Sequence, residues 1–560
     1  MRHRLAGSIS LLLLCLALMA VPGWGAEPSL PSFLTQQVDR VRVGEEIETL
    51  RETSHPYLGW PGERAEKVWT EEIHYPGATY IAPHFSRFHL APGDYVIVRS
   101  PDGSRSWKYE GFGKGEMGKG PDGFWGIHIP GETAVLELYS RNPKGGYGYK
   151  IDRFARGFLP EEMDFETLGT EAICGVDDSN WAKCYQIGEP LIYDQSRAVA
   201  RLLINGVSAC TGWLLGSQGH VITNQHCIGS ATDAANTNFE LMAEGSTCST
   251  SCSTWFGCPG TVVATSSTLI QADAPRDYAL VKLPSNPTGA YGFLSFRSNG
   301  AVVNERIYVP QHPQAWGKRI AVLSSHAQDQ SGYAEVYSLN EPACQVGGPA
   351  DVGYFADTQG GSSGSPVLGY KDHLVVALHH CANCPNRGVP AQSIISHLGA
   401  LMPPMGVGWT IFTTQTPAEF IDTLGKSWSV GNDFSSSTSG NVTHLRYYRA
   451  AEETGLHTLK LWNLSGTLLG SVTVDFGSDL TAGWETGRLS GNGIPIQAGV
   501  SYTVTVTTTG PRQSKTACGF STPISNGPIT ATGGRWVEGN GIFPTNGSCS
   551  NFWTDVVFAK

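Results

Sequence analysis

The sequence predicts an all-β protein, and three observations carry that reading. Gly numbers 68 and charged residues make up 16% of the 560 residues, a loop-rich β composition rather than that of a coiled coil or a disordered chain. Short runs alternate apolar and polar positions, as in Tyr95-Val96-Ile97-Val98, Ala134-Val135-Leu136-Glu137-Leu138 and Tyr502-Thr503-Val504-Thr505-Val506. Helical heptads are absent. The chain is too long for one hydrophobic core, and composition shifts divide it into three domains.

The first 26 residues read as a secretory signal: Arg2 and Arg4, an apolar run from Ile9 to Ala20, then small residues around Gly23, Gly25 and Ala26. Export to the extracellular space follows. No membrane anchor is expected, because the run is shorter than the ~20 residues needed to span a bilayer. Residues 35–157 form an N-terminal β domain without cysteine, punctuated by turn pairs such as Asp102-Gly103 and Asp122-Gly123. Residues 170–405 hold ten cysteines and every chemical motif. Residues 412–560, entered through Thr413-Thr414-Gln415-Thr416-Pro417, form a C-terminal β domain with Cys518 and Cys549.

A net charge of −11 gives no general attraction to phosphate backbones or anionic lipid, so nucleic acid is excluded as a partner class. Of 13 cysteines, Cys15 lies in the signal; the remaining even number in an exported chain reads as disulfide staples.

Three local motifs occur in the order His, Asp, Ser, and unrelated folds with the same chemistry order these residues differently. Cys210-Thr211-Gly212-Trp213-Leu214-Leu215 precedes Val221-Ile222-Thr223-Asn224-Gln225-His226-Cys227. Two short apolar strands joined by a turn bring Cys210 near Cys227 and stiffen the backbone of His226, which suits a general base. Asp277 opens the apolar run Tyr278-Ala279-Leu280-Val281-Lys282-Leu283, where a buried carboxylate orients an imidazole. Gly360-Gly361-Ser362-Ser363-Gly364-Ser365-Pro366 lets the backbone bend around Ser363, with the N–H groups of Gly361 and Ser363 aimed at one spot, an oxyanion hole. Individually each motif has an ordinary reading: a core histidine, a strand-end aspartate, a flexible linker. Their joint occurrence predicts a triad of His226, Asp277 and Ser363.

With these residues in place, the region resembles the bacterial branch of the chymotrypsin-like serine peptidases. The Cys-Thr-Gly and His-Cys blocks, the strand after Asp277, His312-Pro313 with Lys318-Arg319-Ile320, and Gly-Ser-Ser-Gly-Ser-Pro resemble lysyl endopeptidases. Tyr354 ahead of Asp357-Thr358-Gln359-Gly360-Gly361 is closer to glutamyl endopeptidases. Asn224-Gln225 departs from both, which usually carry small residues or another histidine there. The resemblance implies two six-stranded β-barrels with the triad in the cleft between them, and hydrolysis of protein or peptide substrates through an acyl-enzyme on Ser363, without cofactor or metal. The fold expected overall is thus a double β-barrel flanked by two β-sandwich-like domains. The N-terminal domain takes the place of a propeptide, cut between Phe158 and Cys174, or else of a permanent substrate-binding module. The C-terminal domain, with Tyr447-Tyr448, Trp462 and Phe552-Trp553, resembles a β-sandwich of unknown function found on secreted bacterial proteins. Its aromatics serve as core or, if exposed, as a surface for carbohydrate or another polymer.

Cys210 is expected to pair with Cys227, and Cys518 with Cys549. The resemblance to lysyl enzymes implies Cys174 with Cys384 and Cys184 with Cys248; elimination then leaves Cys252 with Cys258 and Cys344 with Cys381. Two other function classes compete. One is a catalytically silent binding protein on this fold, disfavoured because all three triad positions are filled. The other is a zinc protein using His379, His380, Cys381 and Cys384, disfavoured because no second Cys-x-x-Cys pair occurs.

For the specificity pocket the residues point in two directions. Asp357, six positions before Ser363, stands where trypsin-like enzymes bind Lys or Arg, whereas Thr358 and His379 match the hydroxyl and imidazole with which glutamyl enzymes hold a carboxylate. Cys384-Pro385-Asn386-Arg387-Gly388 and Gln359 supply no acid to read lysine. Cleavage after Glu or Asp is therefore expected, with basic or broad preference as the alternative.

Overall fold

The computed structural model describes residues 40–114, 123–162, 173–403, 409–477, 481–489, 493–508 and 510–559. The signal-like stretch with Cys15, the turn residue Asp122 and positions 163–172, where most of the expected propeptide cut falls, lie outside the described residues. Among the described residues no helix is long and apolar enough to cross a membrane.

In the N-terminal region the alternating runs become strands of two sheets that share one core. Glu66–His74, Thr133–Ser140, Tyr95–Arg99 and Ser106–Glu110 form one sheet, and Gly44–Glu52, Gly148–Gly157, Tyr80–His89 and Phe124–Trp125 lie in order in the other. Ile73, Val96 and Leu136 from the first meet Phe85, Tyr149 and Ile151 from the second. Period-two alternation places these side chains on one face of each sheet.

The central region has two sheets of eight strands each, against the six per barrel that the resemblance implies. One of the first eight, Val41–Arg42, comes from the segment ahead of the N-terminal sandwich and pairs with Ser208–Leu215. The second begins with the two-residue strand Asn180–Trp181 at its edge. In the first sheet His220–Thr223 lies between Ser208–Leu215 and Tyr278–Lys282, with Thr223 opposite Ala279. That register puts the His226 loop and Asp277 at the same end of neighbouring strands. In the second sheet Pro366 lies opposite Leu378, which sets the Ser363 turn beside His379 and His380.

The C-terminal region has a seven-stranded sheet centred on Trp428–Ser436 and Ser501–Thr508 and a four-stranded sheet built on Gly440–Arg449. Val430, Val504 and Val506 of one sheet pack with Leu445, Tyr447, Val556 and Phe558 of the other. Tyr447, Trp462, Phe552 and Trp553 are all buried, and the Trp462 indole N–H donates to Thr505 Oγ1 at 2.9 Å. Those aromatics serve the core.

Among the described residues six disulfides tie the chain: Cys174–Cys384, Cys184–Cys248, Cys210–Cys227, Cys252–Cys258, Cys344–Cys381 and Cys518–Cys549. Cys381 and Cys384 are thereby committed to other sulfurs, which withdraws the thiolates that the zinc alternative requires.

Candidate active site

Asp277 is fully buried at the mouth of its strand, with φ at +41°, a left-handed conformation that Asp tolerates better than most residues. Its Oδ1 accepts the His226 backbone N–H at 3.0 Å, and its Oδ2 lies 2.8 Å from His226 Nδ1. One carboxylate therefore fixes both the loop and the ring of His226. With Nδ1 donating to Asp277, the lone pair of neutral His226 sits on Nε2, which is buried and has no hydrogen-bond partner. Asp277 is held far below the usual carboxylate range: desolvation opposes its charge, and its interactions with His226, then with His380, overcome it.

Asn224 accounts for the departure before the histidine. Its side-chain amide donates to the Asp277 carbonyl at 2.8 Å, and its own carbonyl accepts from Cys227 N and Ile228 N. The residue thus braces the turn that carries His226.

Ser363 sits in a turn that packs on the same disulfide as His226. Thr211 N donates to the Ser363 carbonyl at 2.9 Å, Thr211 Oγ1 donates to the Gly361 carbonyl at 2.8 Å, and Cys227 Sγ lies 3.9 Å from the Ser363 carbonyl oxygen. Gly361 and Gly364 have φ of +93° and +89°. A Cβ on Gly364 would stand 2.1 Å from the Thr211 carbonyl oxygen, so the bend around Ser363 requires glycine there.

The pocket candidates separate. Asp357 is engaged by backbone amides: its Oδ1 accepts Cys174 N at 2.9 Å and its Oδ2 accepts Asp178 N at 2.8 Å. The loop held by the Cys174–Cys384 disulfide uses this carboxylate as an acceptor for its amides. Burial raises its pKa to about 6. Thr358 and His379 are both buried, and Thr358 Oγ1 and His379 Nε2 have no hydrogen-bond partner. His379 Nδ1 lies 2.7 Å from the Tyr354 hydroxyl, and burial, followed by the charges of His380 and His226, lowers its pKa to about 3, so the ring is neutral.

Two residues outside the expected set join the site. His380 Nδ1 is 3.2 Å from Asp277 Oδ2, the same oxygen that faces His226. On its other side His380 Nε2 forms an ion pair with Asp351 Oδ2 at 3.1 Å. Burial alone would depress this imidazolium; the Asp351 charge and the contacts with Asp277 prevail and push its pKa up to about 9. The His379-His380 pair is visible in the sequence. That its second ring bridges two aspartates depends on strand register, which the pair does not reveal.

A family model described as a trypsin-like peptidase domain matches residues 210–378, and one described as a domain of unknown function matches residues 414–554. Among curated proteins, the secreted RxLR effector protein 73 of Plasmopara viticola is 42% identical over 336 residues, covering 57% of this chain and 79% of the relative. Similar solved structures include the HtrA-type protease AlgW with a tripeptide, 13% identical at a TM-score of 0.27, over 37% of this chain and 62% of AlgW. A Glu endopeptidase is 16% identical at a TM-score of 0.29, over 41% of this chain and 98% of that structure. The chain thus spans less than two thirds of the AlgW chain.

Proposed function

We propose, from the premise that the chain belongs to the family of the secreted RxLR effector protein 73 and carries a trypsin-like peptidase domain, that it is a secreted serine endopeptidase. The observation that carries the reading is the His226 ring, with Nδ1 held by buried Asp277 and Nε2 left without a partner. In that tautomer Nε2 removes the Ser363 proton, Ser363 attacks the peptide carbonyl, and the Gly361 and Ser363 amides stabilise the oxyanion. His226 then protonates the leaving amine, and water, activated by the same base, resolves the acyl-enzyme.

An acidic residue before the scissile bond is the proposed preference. Buried polar atoms without partners are costly unless a ligand completes them. A Tyr354 hydroxyl that donates to His379 Nδ1 leaves the ring proton on Nε2, and that N–H with the Thr358 hydroxyl offers two donors to a carboxylate. Asp357, the residue that would favour Lys or Arg, is engaged by backbone amides. Cleavage-site profiling on a peptide library is expected to show dominant cuts after Glu or Asp, together with covalent labelling of Ser363 by a serine-directed phosphonate. Dominant cuts after Lys or Arg would overturn the preference; absence of both cleavage and labelling would overturn the peptidase reading.

The N-terminal β domain is proposed as the propeptide, released by a cut between Phe158 and Cys174. N-terminal sequencing of the secreted form tests this; a mature chain that still begins before residue 157 would defeat it.

His380 acts as a positioning residue through Asp277. Its Nδ1 shares Asp277 Oδ2 with the His226 ring and so helps to hold that carboxylate in place. His380→Asn is expected to lower kcat with KM little changed, the split that loss of positioning gives. An unchanged kcat would remove His380 from the mechanism. Because the folded pKa is raised, the stability contributed by this imidazolium is fully present below about pH 6.5 and is lost as pH rises through about 9.

A further inference from the structure

The strand Val41–Arg42 adds to the edge of Ser208–Leu215, with Val41 opposite Ala209 and Arg42 opposite Ser208, and Val43 N donates to the Val207 carbonyl at 2.9 Å. Adding a strand to a sheet edge is a general way for a protein to hold an extended peptide. Here the edge ends at the active site, because Ala209 precedes Cys210, the disulfide partner of Cys227 beside His226.

Arg40 leads into this strand. Its Nε donates to the carbonyl oxygen of His226 itself at 2.7 Å, and its two terminal nitrogens reach Asp233 Oδ1 and Oδ2 at 3.1 and 3.0 Å. Val41 stands over the oxyanion turn: a Cβ placed on Gly360 or Gly361 would come within 3.3 or 3.2 Å of its methyl groups. The segment therefore runs between the His226 loop and the Gly360-Gly361 turn, through space that a polypeptide substrate must cross to bring a carbonyl to Ser363.

The direction of the chain assigns the side. His379, proposed with Thr358 to hold the acyl-side residue, lies in a strand of the second sheet, whereas Arg40–Val43 runs from His226 out along the first. His226 is the group that protonates the departing amine, so Arg40 occupies the place of the residue immediately after the scissile bond.

Asp233 is built to receive such a side chain. Only 12% of it is exposed, and its other partners, Asn205 Nδ2, Ser230 Oγ and the Gly229 N–H, are neutral donors that orient the carboxylate without neutralising it. A bidentate guanidinium completes it with charge as well as geometry.

We propose that Asp233 is the recognition carboxylate for a basic side chain immediately after the scissile bond, and that Arg40–Val43 is the chain's own occupant of that subsite. This assignment rests on the serine endopeptidase reading, and it makes the segment a built-in competitor of substrate.

The test has two arms, both on the full chain. In the first, peptides identical up to the scissile bond carry Arg, Lys, Ala or Glu after it. Arg and Lys are expected to exceed Glu in kcat/KM by about tenfold, and Asp233→Asn is expected to bring that ratio close to one, as loss of a charge-assisted bidentate pair should. A ratio that Asp233→Asn leaves unchanged overturns the proposal. The second arm needs no catalysis: the acetylated peptide Arg-Val-Arg-Val is titrated calorimetrically into the chain carrying Ser363→Ala and Arg40→Ala. Binding that weakens about tenfold with Asp233→Asn supports the subsite, and equal binding or none by both proteins overturns it. Intact peptide binding with no hydrolysis of any substrate would defeat the peptidase reading and leave the subsite standing.

Discussion

Ser363→Ala is expected to lower peptide turnover by about 10⁶ and to abolish phosphonate labelling, because the nucleophile of an acyl-enzyme pathway has no substitute among its neighbours. Two serines flank it closely enough to be rivals, and the structure gives them different surroundings. Ser362 Oγ accepts the Gln359 N–H at 3.2 Å and is fully buried; Ser365 Oγ is buried without a partner, at the start of the strand that continues from Pro366. Ser365 lies outside the two glycines of positive φ that shape the turn, and Ser362, which lies between them with Ser363, has its hydroxyl engaged by the Gln359 amide. Ser362→Ala and Ser365→Ala should therefore keep most turnover. Some rate above the uncatalysed reaction should survive in Ser363→Ala, about 10³-fold or more, from oxyanion stabilisation and binding. Undiminished hydrolysis by purified Ser363→Ala would remove the assignment of Ser363.

The three chemical motifs are legible in sequence because each is local. A histidine beside a cysteine, an aspartate opening an apolar run and a serine within a glycine turn announce themselves over a few residues, and strand alternation announces the all-β fold. What depends on how strands align across a sheet is not local. Asp351 and His380 lie 29 positions apart in the chain, and they meet because the strands that carry them flank Asn386–Pro390. Asp357 illustrates the converse: its distance from Ser363 along the chain is trypsin-like, yet spacing says nothing about the direction of its carboxylate, and the amides of Cys174 and Asp178 decide it. The pairing of Val41–Arg42 with Ser208–Leu215 is invisible for a further reason. Two residues carry no periodicity, and their partner lies far along the chain.

Glu240→Ala should destabilise the folded chain by about 3–5 kcal/mol, the range found when one member of a buried ion pair is removed and the others stay behind. Glu240 is completely buried in the first central sheet, where Arg201 Nε and Nη2 donate to its Oε2 at 3.0 and 2.7 Å and Gly260 N donates to its Oε1 at 2.9 Å. A second guanidinium, that of Arg105, reaches Oε1 from the N-terminal region and also donates to the Gly260 carbonyl at 2.8 Å. His128, also from that region, stands 3.6 Å from Oε2. Alanine would leave Arg201, itself fully buried, with carbonyl oxygens alone, and Arg105 would keep only the Gly260 carbonyl and the His128 ring. Arg105→Met should cost less, since Arg201 and Gly260 continue to hold the carboxylate. Desolvation opposes the charge of Glu240, and Arg201 followed by Arg105 outweighs it, so its pKa lies well below the ordinary carboxylate value. The sign follows: this stability is present above about pH 4.5 and is lost as the pH falls toward the depressed folded value. Calorimetric unfolding of the full chain at neutral pH, comparing Glu240→Ala, Glu240→Gln and Arg105→Met, measures the effect. An unfolding transition in Glu240→Ala that stays within about 1 kcal/mol of the parent would mean that burying this cluster costs as much as its pairing returns.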